Sequence, residues 1–301
     1  MNVSENLTVS VIIPTLNAEK ELPVLLRSLE VQSYPITEII IVDSSSDDQT
    51  VSIGMSYPNV KLMQIARKDF DHGKTRDLVF RKSIGNIVVF LTQDAVPADK
   101  KFLGNLITPL LDPNVAVSVG RQLPKPSASK MEKLVRNFNY PAENNIRSKE
   151  DITHLGIKAF FSSNSCAAYR RDVYFHLGGF NESVRTNEDM FFAAKALQSG
   201  YCVAYTAEAC VYHSHNFTLM QQYKRNYLQG YEIEKHRELL NGSALFGEGY
   251  RFVKSISHDL IKNGDVVSFI QFGLDCCARF LGNRAGRNAF RREQRKNARN
   301  R

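Results

Sequence analysis

Short apolar runs alternate with helical stretches along the first hundred residues. Val9–Ile13 is apolar apart from Ser10 and ends at Pro14, the pattern of a strand covered on both faces. Glu19–Gln32 carries Leu22, Leu25, Leu26 and Leu29, the spacing of one helix face. Glu38–Val42 sets Ile-Ile-Ile-Val between polar ends and reads as a second buried strand. Asp47–Tyr57 suits a short helix with an acidic start. Val60–Ile65 predicts a third strand, Thr75–Ile84 a helix, and Ile87–Leu91 a fourth strand. This alternation predicts right-handed βαβ crossovers and an α/β fold with a mainly parallel sheet. Ligands of such sheets sit at the carboxyl ends of the strands. The residues of interest are therefore Pro14, Thr15 and Asn17, then Asp43 to Asp47, Arg67 to Arg76, and Gln93 with Asp94.

Beyond about Pro97 the pattern is mixed. Strands are expected at Val115–Gly120, Phe160–Tyr169, Cys202–Tyr205 and Ala209–His213, and helices at Arg171–Leu177 and Glu188–Gln198. The chain then reads as helical from Thr218 to about Leu240 and from about Phe252 to Leu281, with a glycine-containing break at Asn241–Gly249 between them. No internal repeat is visible.

Composition adds three constraints. An apolar content of 43% is ordinary for a globular chain and allows a sizeable core. No run reaches the roughly 18–20 apolar residues of a spanning helix. The start, MNVSENLTVSVIIP, lacks the basic region of a secretory signal, so the chain is expected to begin at Met1 and stay in the cytoplasm. Cys166, Cys202, Cys210, Cys276 and Cys277 show no CxxC spacing and read as reduced core thiols rather than a zinc or disulfide framework. Nine Lys or Arg against one Glu lie between Arg279 and Arg301, so this stretch holds the whole net charge of +8 and the body is balanced. A neutral body and a tail poor in aromatics argue against nucleic acid as a partner.

There is no GxGxxG after the first strand and no GxxxxGK[ST], which disfavours dinucleotide oxidoreductases and P-loop enzymes. The strand ends offer acids, amides and hydroxyls instead. Asp43 can accept from a base N–H or a ribose hydroxyl, while the following Ser and Asp residues can equally cap a helix. Asp94, closing the apolar strand IVVFL, suits a hard divalent cation, Mg²⁺ or Mn²⁺, beside a diphosphate. Arg76 in a dense polar loop can hold phosphate oxygens. Asn187, Glu188 and Asp189 open a helix, where acids are favoured by the dipole but can also face a pocket; Asp189 is the candidate base. His213 and His215, two apart on an extended segment, point to one side and are candidate metal ligands.

These segments resemble the inverting family 2 glycosyltransferases of the GT-A fold over roughly residues 8–225. VSVIIPTLNAEKELPVLLRSL is similar to the family's opening, EIIIVDSSSDDQT to its nucleotide-binding strand, FLTQDAVP to its DxD metal segment, and SSNSCAAYRRDVYFHLGGFNES to its acceptor-side segment. NEDMFFAAKALQSGY resembles the segment with the catalytic base. Within the family, FDHGKTRD, TQDA and YHSHNFTLMQQYKRNYLQG resemble bacterial rhamnosyltransferases that use dTDP-L-rhamnose in building cell-surface polysaccharide.

The resemblance implies a nucleotide-sugar site of Pro14, Thr15, Asn17, Asp43, Arg76 and Gln93, and a cation on Asp94 with His213 and His215. It implies Asp189 as base, and an acceptor site shaped by Asn164, Asn187 and Glu188. One departure is that Thr92 replaces the first Asp of DxD, which implies weaker or more dispensable metal binding. The QxxRW signature of processive synthases is present only as a partial echo around Gln221–Asn226, so a single-addition enzyme is expected. Residue chemistry alone leaves a UDP-hexose donor open.

The expected organisation is a GT-A domain over 1–225, a helical extension over 226–282 and a basic tail over 283–301. The apolar helix and basic tail suit docking on an anionic inner membrane face beside a saccharide or lipid-linked saccharide acceptor. The alternative is a helix packed on the body or in a homodimer, followed by a solvated tail.

Overall fold

A computed structural model describes residues 7–240 and 247–299. The strands are β1 Val9–Thr15, β2 Glu38–Asp43, β3 Val60–Gln64, β4 Ile87–Leu91, β5 Val96–Pro97, β6 Val115–Leu123, β7 Asn145–Arg147, β8 Cys166–Arg170 and β9 Cys202–Tyr212. The helices are α1 Leu22–Glu30, α2 Thr50–Met55, α3 His72–Lys82, α4 Phe102–Ile107, α5 Lys130–Asn139, α6 Ile152–Leu155, α7 Arg171–His176, α8 Glu188–Gln198, α9 Leu219–Lys235, α10 Gly247–Lys262 and α11 Val266–Arg299.

All the described strands join one mixed sheet in the order β3-β2-β1-β4-β8-β6-β9-β5, with β7 paired to β9. The expected parallel block is present as β3-β2-β1-β4. β8 then enters antiparallel to both β4 and β6, while β6 and β9 pair in parallel. Side-chain alternation splits the apolar strands between two cores. Val9, Val11, Ile13, Ile39, Ile41, Val89 and Leu91 pack with the leucines of α1 and with α4. Ile12, Ile40, Val42, Val88 and Phe90 pack with α3, α7 and α8 on the other face. Helices on both faces explain why these strands are apolar almost throughout.

Several sequence expectations shift. The strand expected at Phe160–Tyr169 begins only at Cys166, and residues 161–165 form a polar loop. The two short strands expected at Cys202–Tyr205 and Ala209–His213 are one strand, β9, whose register against β6 jumps from Thr206 to Cys210. The helical stretch expected from Phe252 to Leu281 is two helices. Gly264, in the left-handed region at φ 65°, ends α10, and Asp265 accepts from the Ser268 N–H to cap α11. Residues 241–246 of the expected break and 300–301 of the tail lie outside the described residues.

α11 continues as a helix through Arg299, so the expected boundary at 283 falls inside it. It lies against α9 at backbone distance. A Cβ on Gly230 would sit 2.2 Å from the Asn283 carbonyl oxygen, and one on Gly286 would sit 1.9 Å from that of Tyr227. Arg291–Glu234 at 2.7 Å and Tyr231–Glu293 at 2.6 Å join the same two helices. The boundary expected at 225 likewise falls inside α9.

Candidate active site

The carboxyl ends of β1, β2, β4 and β6 open on a cavity of about 640 Å³, a size suited to a small-molecule ligand. Five Lys or Arg (Arg67, Arg76, Lys125, Arg136, Arg225) and only two carboxylates (Glu21, Asp94) line it, the balance expected of a site for a polyanion. Of the expected donor residues, Pro14, Thr15, Arg76 and Gln93 are on its wall. Gln93 is held there by the end of β1, accepting from the Leu16 N–H at 2.8 Å.

Asp43 and Asn17 are not among the wall residues. Asp43 is fully buried and accepts from the Thr15 hydroxyl at 3.0 Å, the Ser46 N–H at 2.9 Å and the Ser46 hydroxyl at 2.5 Å. Asn17 Oδ1 accepts from the Asp47 N–H at 2.9 Å. Both side chains fasten the two loops to each other, so they shape the wall from behind. Ser44, beside Asp43, does reach the cavity, and its buried hydroxyl has no partner. Thr92 Oγ1 is orphaned in the same way. Buried polar atoms of this kind at a cavity wall are the groups a bound polar ligand satisfies.

On the far side of β4, Asp94, His213 and His215 converge, each offering a ligand atom within 4.8 Å of the others. β9 ends one residue before His213, and the His213 N–H continues its ladder by donating to the Leu123 carbonyl at 2.9 Å. His213 Nδ1 lies 2.8 Å from Gln122 Oε1, an acceptor, so Nδ1 carries a proton, and Nε2 faces Asp94 and His215. Arg136 donates to the same oxygen and fixes the amide orientation. Burial first, and His213 second, lower His215 to about 4, so it is neutral near pH 7. For Asp94, burial acts upward, but the hydrogen bond and charge of His213 and the Lys125 ammonium outweigh it and hold the carboxyl well below its usual range. One carboxylate and two imidazoles form a donor set that fits a divalent cation such as Mn²⁺.

Asp189 sits in the first turn of α8. The Asn164 N–H donates to its Oδ2 at 2.9 Å and the Met190 N–H to its Oδ1 at 2.8 Å. Burial, followed by the adjacent Glu188 carboxylate, pushes Asp189 up to about 7, which suits a proton acceptor working near neutrality. Asn164 lies between Ser163 and Ser165, both on the cavity wall, so Asp189 stands next to that wall.

Arg76, Glu188 and Asn164 form a buried unit behind it. Arg76 Nη1 donates to Glu188 Oε1 at 3.0 Å, and the Asn164 amide donates to the same oxygen at 3.0 Å. The Tyr169 hydroxyl holds Asn164 Oδ1 at 2.7 Å. Arg76, expected to reach for a diphosphate, is 4% exposed and paired through Nη1, while its Nε is buried without a partner. Glu188 at 4% and Asn164 at 3% are likewise turned inward rather than toward an acceptor. A buried carboxylate needs a counter-charge, and Arg76 supplies it. Asn187 supplies the left-handed residue at φ 64° that starts α8, with no side-chain cap, so helix capping does not account for it.

The sequence reading did not single out Gln122, Lys125, Arg136, Tyr140 or Arg225, all on the cavity wall. Gln122 and Lys125 carry a legible signal, because they end an apolar strand just as Asp94 does.

The architecture and site define a GT-A-type glycosyltransferase. A mannosyltransferase from Pyrobaculum calidifontis, solved with GDP-Man and Mn²⁺, superposes with a TM-score of 0.64 at 16% identity, covering 94% of this chain and 88% of that one. The family model Glycosyl transferase family 2 matches residues 10–178. The O-antigen chain rhamnosyltransferase RfbN of Salmonella typhimurium is 41% identical over 283 residues, 93% of this chain and 90% of the relative. WbaN of Salmonella anatum, of the same description, is 42% identical over 265 residues, 87% of this chain and 83% of the relative. The chain belongs to glycosyl transferase family 2.

Proposed function

We propose that the enzyme transfers L-rhamnose from dTDP-L-rhamnose to a hydroxyl of a saccharide, lipid-linked during synthesis, in a cell-surface polysaccharide. The observation that carries the chemistry is Asp189, a carboxylate of raised basicity fixed by two backbone N–H groups beside a cationic cavity. The choice of sugar is supported by the two rhamnosyltransferases at 41% and 42% identity.

Asp189 takes the proton of the acceptor hydroxyl, and the oxygen attacks the anomeric carbon on the face opposite the diphosphate. The carbon–oxygen bond to the diphosphate breaks as the new one forms, and configuration inverts. Asp94, His213 and His215 would hold a divalent cation such as Mn²⁺ or Mg²⁺, which would supply charge neutralisation for the departing diphosphate. Arg76 holds Glu188, and through it Asn164, so that the loop carrying Asn164 keeps its N–H on Asp189. Among the described residues no helix is long and apolar enough to cross a membrane. Contact with a membrane surface is supported instead by the exposed Val266, Val267, Ile270 and Leu274 on α11.

Calorimetric titration with dTDP-L-rhamnose and with UDP-hexoses tests the donor. Selective binding of dTDP-L-rhamnose is expected. A preference for a UDP-hexose removes rhamnose from the reading and leaves the transferase.

A further inference from the structure

Asp94 has an ammonium beside it as well as the two imidazoles. Lys125 Nζ lies 2.9 Å from Asp94 Oδ2, while His213 approaches the other oxygen at 3.4 Å. The Lys125 backbone is fixed in place. It stands between Pro124 and Pro126, directly after β6 ends at Leu123, and the residue before a proline is confined to extended backbone. Its N–H donates to the Ser214 hydroxyl at 3.0 Å, which fixes it against the segment carrying His213 and His215. The side chain keeps 30% of its surface open to the cavity, against 15% for Asp94. At the position where a second carboxylate would reinforce a metal site stands Thr92, neutral and with its hydroxyl unpartnered.

We propose that Lys125 is a resident cation of the donor site: it neutralises Asp94, competes with a divalent ion for that carboxylate, and itself binds the diphosphate of the donor. This rests on the nucleotide-sugar reading above. One carboxylate beside one ammonium leaves no net negative charge to draw in a divalent ion, and the ammonium repels it. A diphosphate entering the cavity brings its own negative charge and meets an ammonium already held at the site by Asp94. Donor binding therefore persists without metal, and a metal ion adds to it rather than making it possible.

The test uses the full chain, titrated calorimetrically with dTDP and with UDP in EDTA and in Mn²⁺, and with Mn²⁺ alone followed by electron paramagnetic resonance. Wild type is expected to bind its nucleotide in EDTA. Lys125→Met should weaken that binding by about tenfold or more, the scale of one charge-assisted hydrogen bond. The same variant should bind Mn²⁺ alone more tightly, by about fivefold or more, since a repelling charge has gone. Lys125→Arg, which keeps the charge, should stay within about threefold of wild type in EDTA and serves as the folded control. Unchanged nucleotide affinity of Lys125→Met in EDTA, or weaker Mn²⁺ binding in that variant, overturns the proposal while leaving the enzyme class intact. Failure of wild type to bind either nucleotide under both conditions overturns the nucleotide-sugar reading and this inference with it.

Discussion

Two carboxylates in this site are tuned in opposite directions by their neighbours. Asp94 is held anionic by His213 and Lys125, while Asp189 is raised to about 7 by burial and Glu188. The second shift has a sign that can be measured. Asp189 must be deprotonated to act as base, so kcat/KM should fall about tenfold per pH unit below pH 7 and level off above it; a profile flat from pH 5.5 to 8 would argue against this base. The same shift acts on stability. The folded state holds a proton on Asp189 that the unfolded chain, near its ordinary 3.8, releases between about pH 4 and 7. Stability from this group is thus full below pH 4 and lost as pH rises through 7. Asp189→Asn should raise the melting temperature at pH 8 and leave it unchanged at pH 4. Gln122 gives a separate prediction: Gln122→Leu frees His213 Nδ1 and should weaken Mn²⁺ binding by about tenfold or more, measured by electron paramagnetic resonance. At this scale the sequence was informative wherever a polar residue ends an apolar strand, as with Asp94. It was less so where a side chain turns inward. Nothing in the residue types tells that Asp43 serves Thr15 and Ser46, or that Arg76 serves Glu188, because those partners lie far along the chain or depend on loop geometry.

Among the elements, β1, β2 and β4 were legible because burial on both faces demands nearly unbroken apolar runs. β5 and β7 were not, being two and three residues long and held by pairing with β9 rather than by any pattern of their own. α5 was not assigned from sequence, although Met131, Leu134, Val135 and Phe138 have helical spacing and Ser129 caps it. The α9–α11 pair tests what glycine does here. Gly286→Leu places side-chain atoms where the Tyr227 carbonyl stands at 1.9 Å from a Cβ, so the helices must separate. A loss of about 1–3 kcal/mol or more is expected, read as a lower melting temperature with early proteolysis in α11. Wild-type stability in this variant would mean that α11 is not seated on α9.

For the molecule as a whole, the basic residues from Arg279 through Arg299, which carry most of the excess positive charge, lie on a helix, and part of that charge pairs with α9 through Arg291 and Glu234. Deleting that stretch would therefore strip packing as well as charge. Substituting Val267→Gln and Ile270→Gln, at positions 68% and 57% exposed, isolates the apolar contribution without changing charge. These changes should reduce flotation with anionic liposomes while leaving the melting temperature within about 2 °C, since exposed positions contribute little to stability. Unaltered flotation would argue for a different docking face. The central claim concerns Asp189. Single-turnover transfer from dTDP-L-rhamnose to acceptor extracted from membranes should fall about 10²- to 10⁴-fold in Asp189→Asn, with donor affinity within about twofold of wild type. Turnover retained near the wild-type rate, with donor still bound, would contradict the assignment of Asp189 as the base.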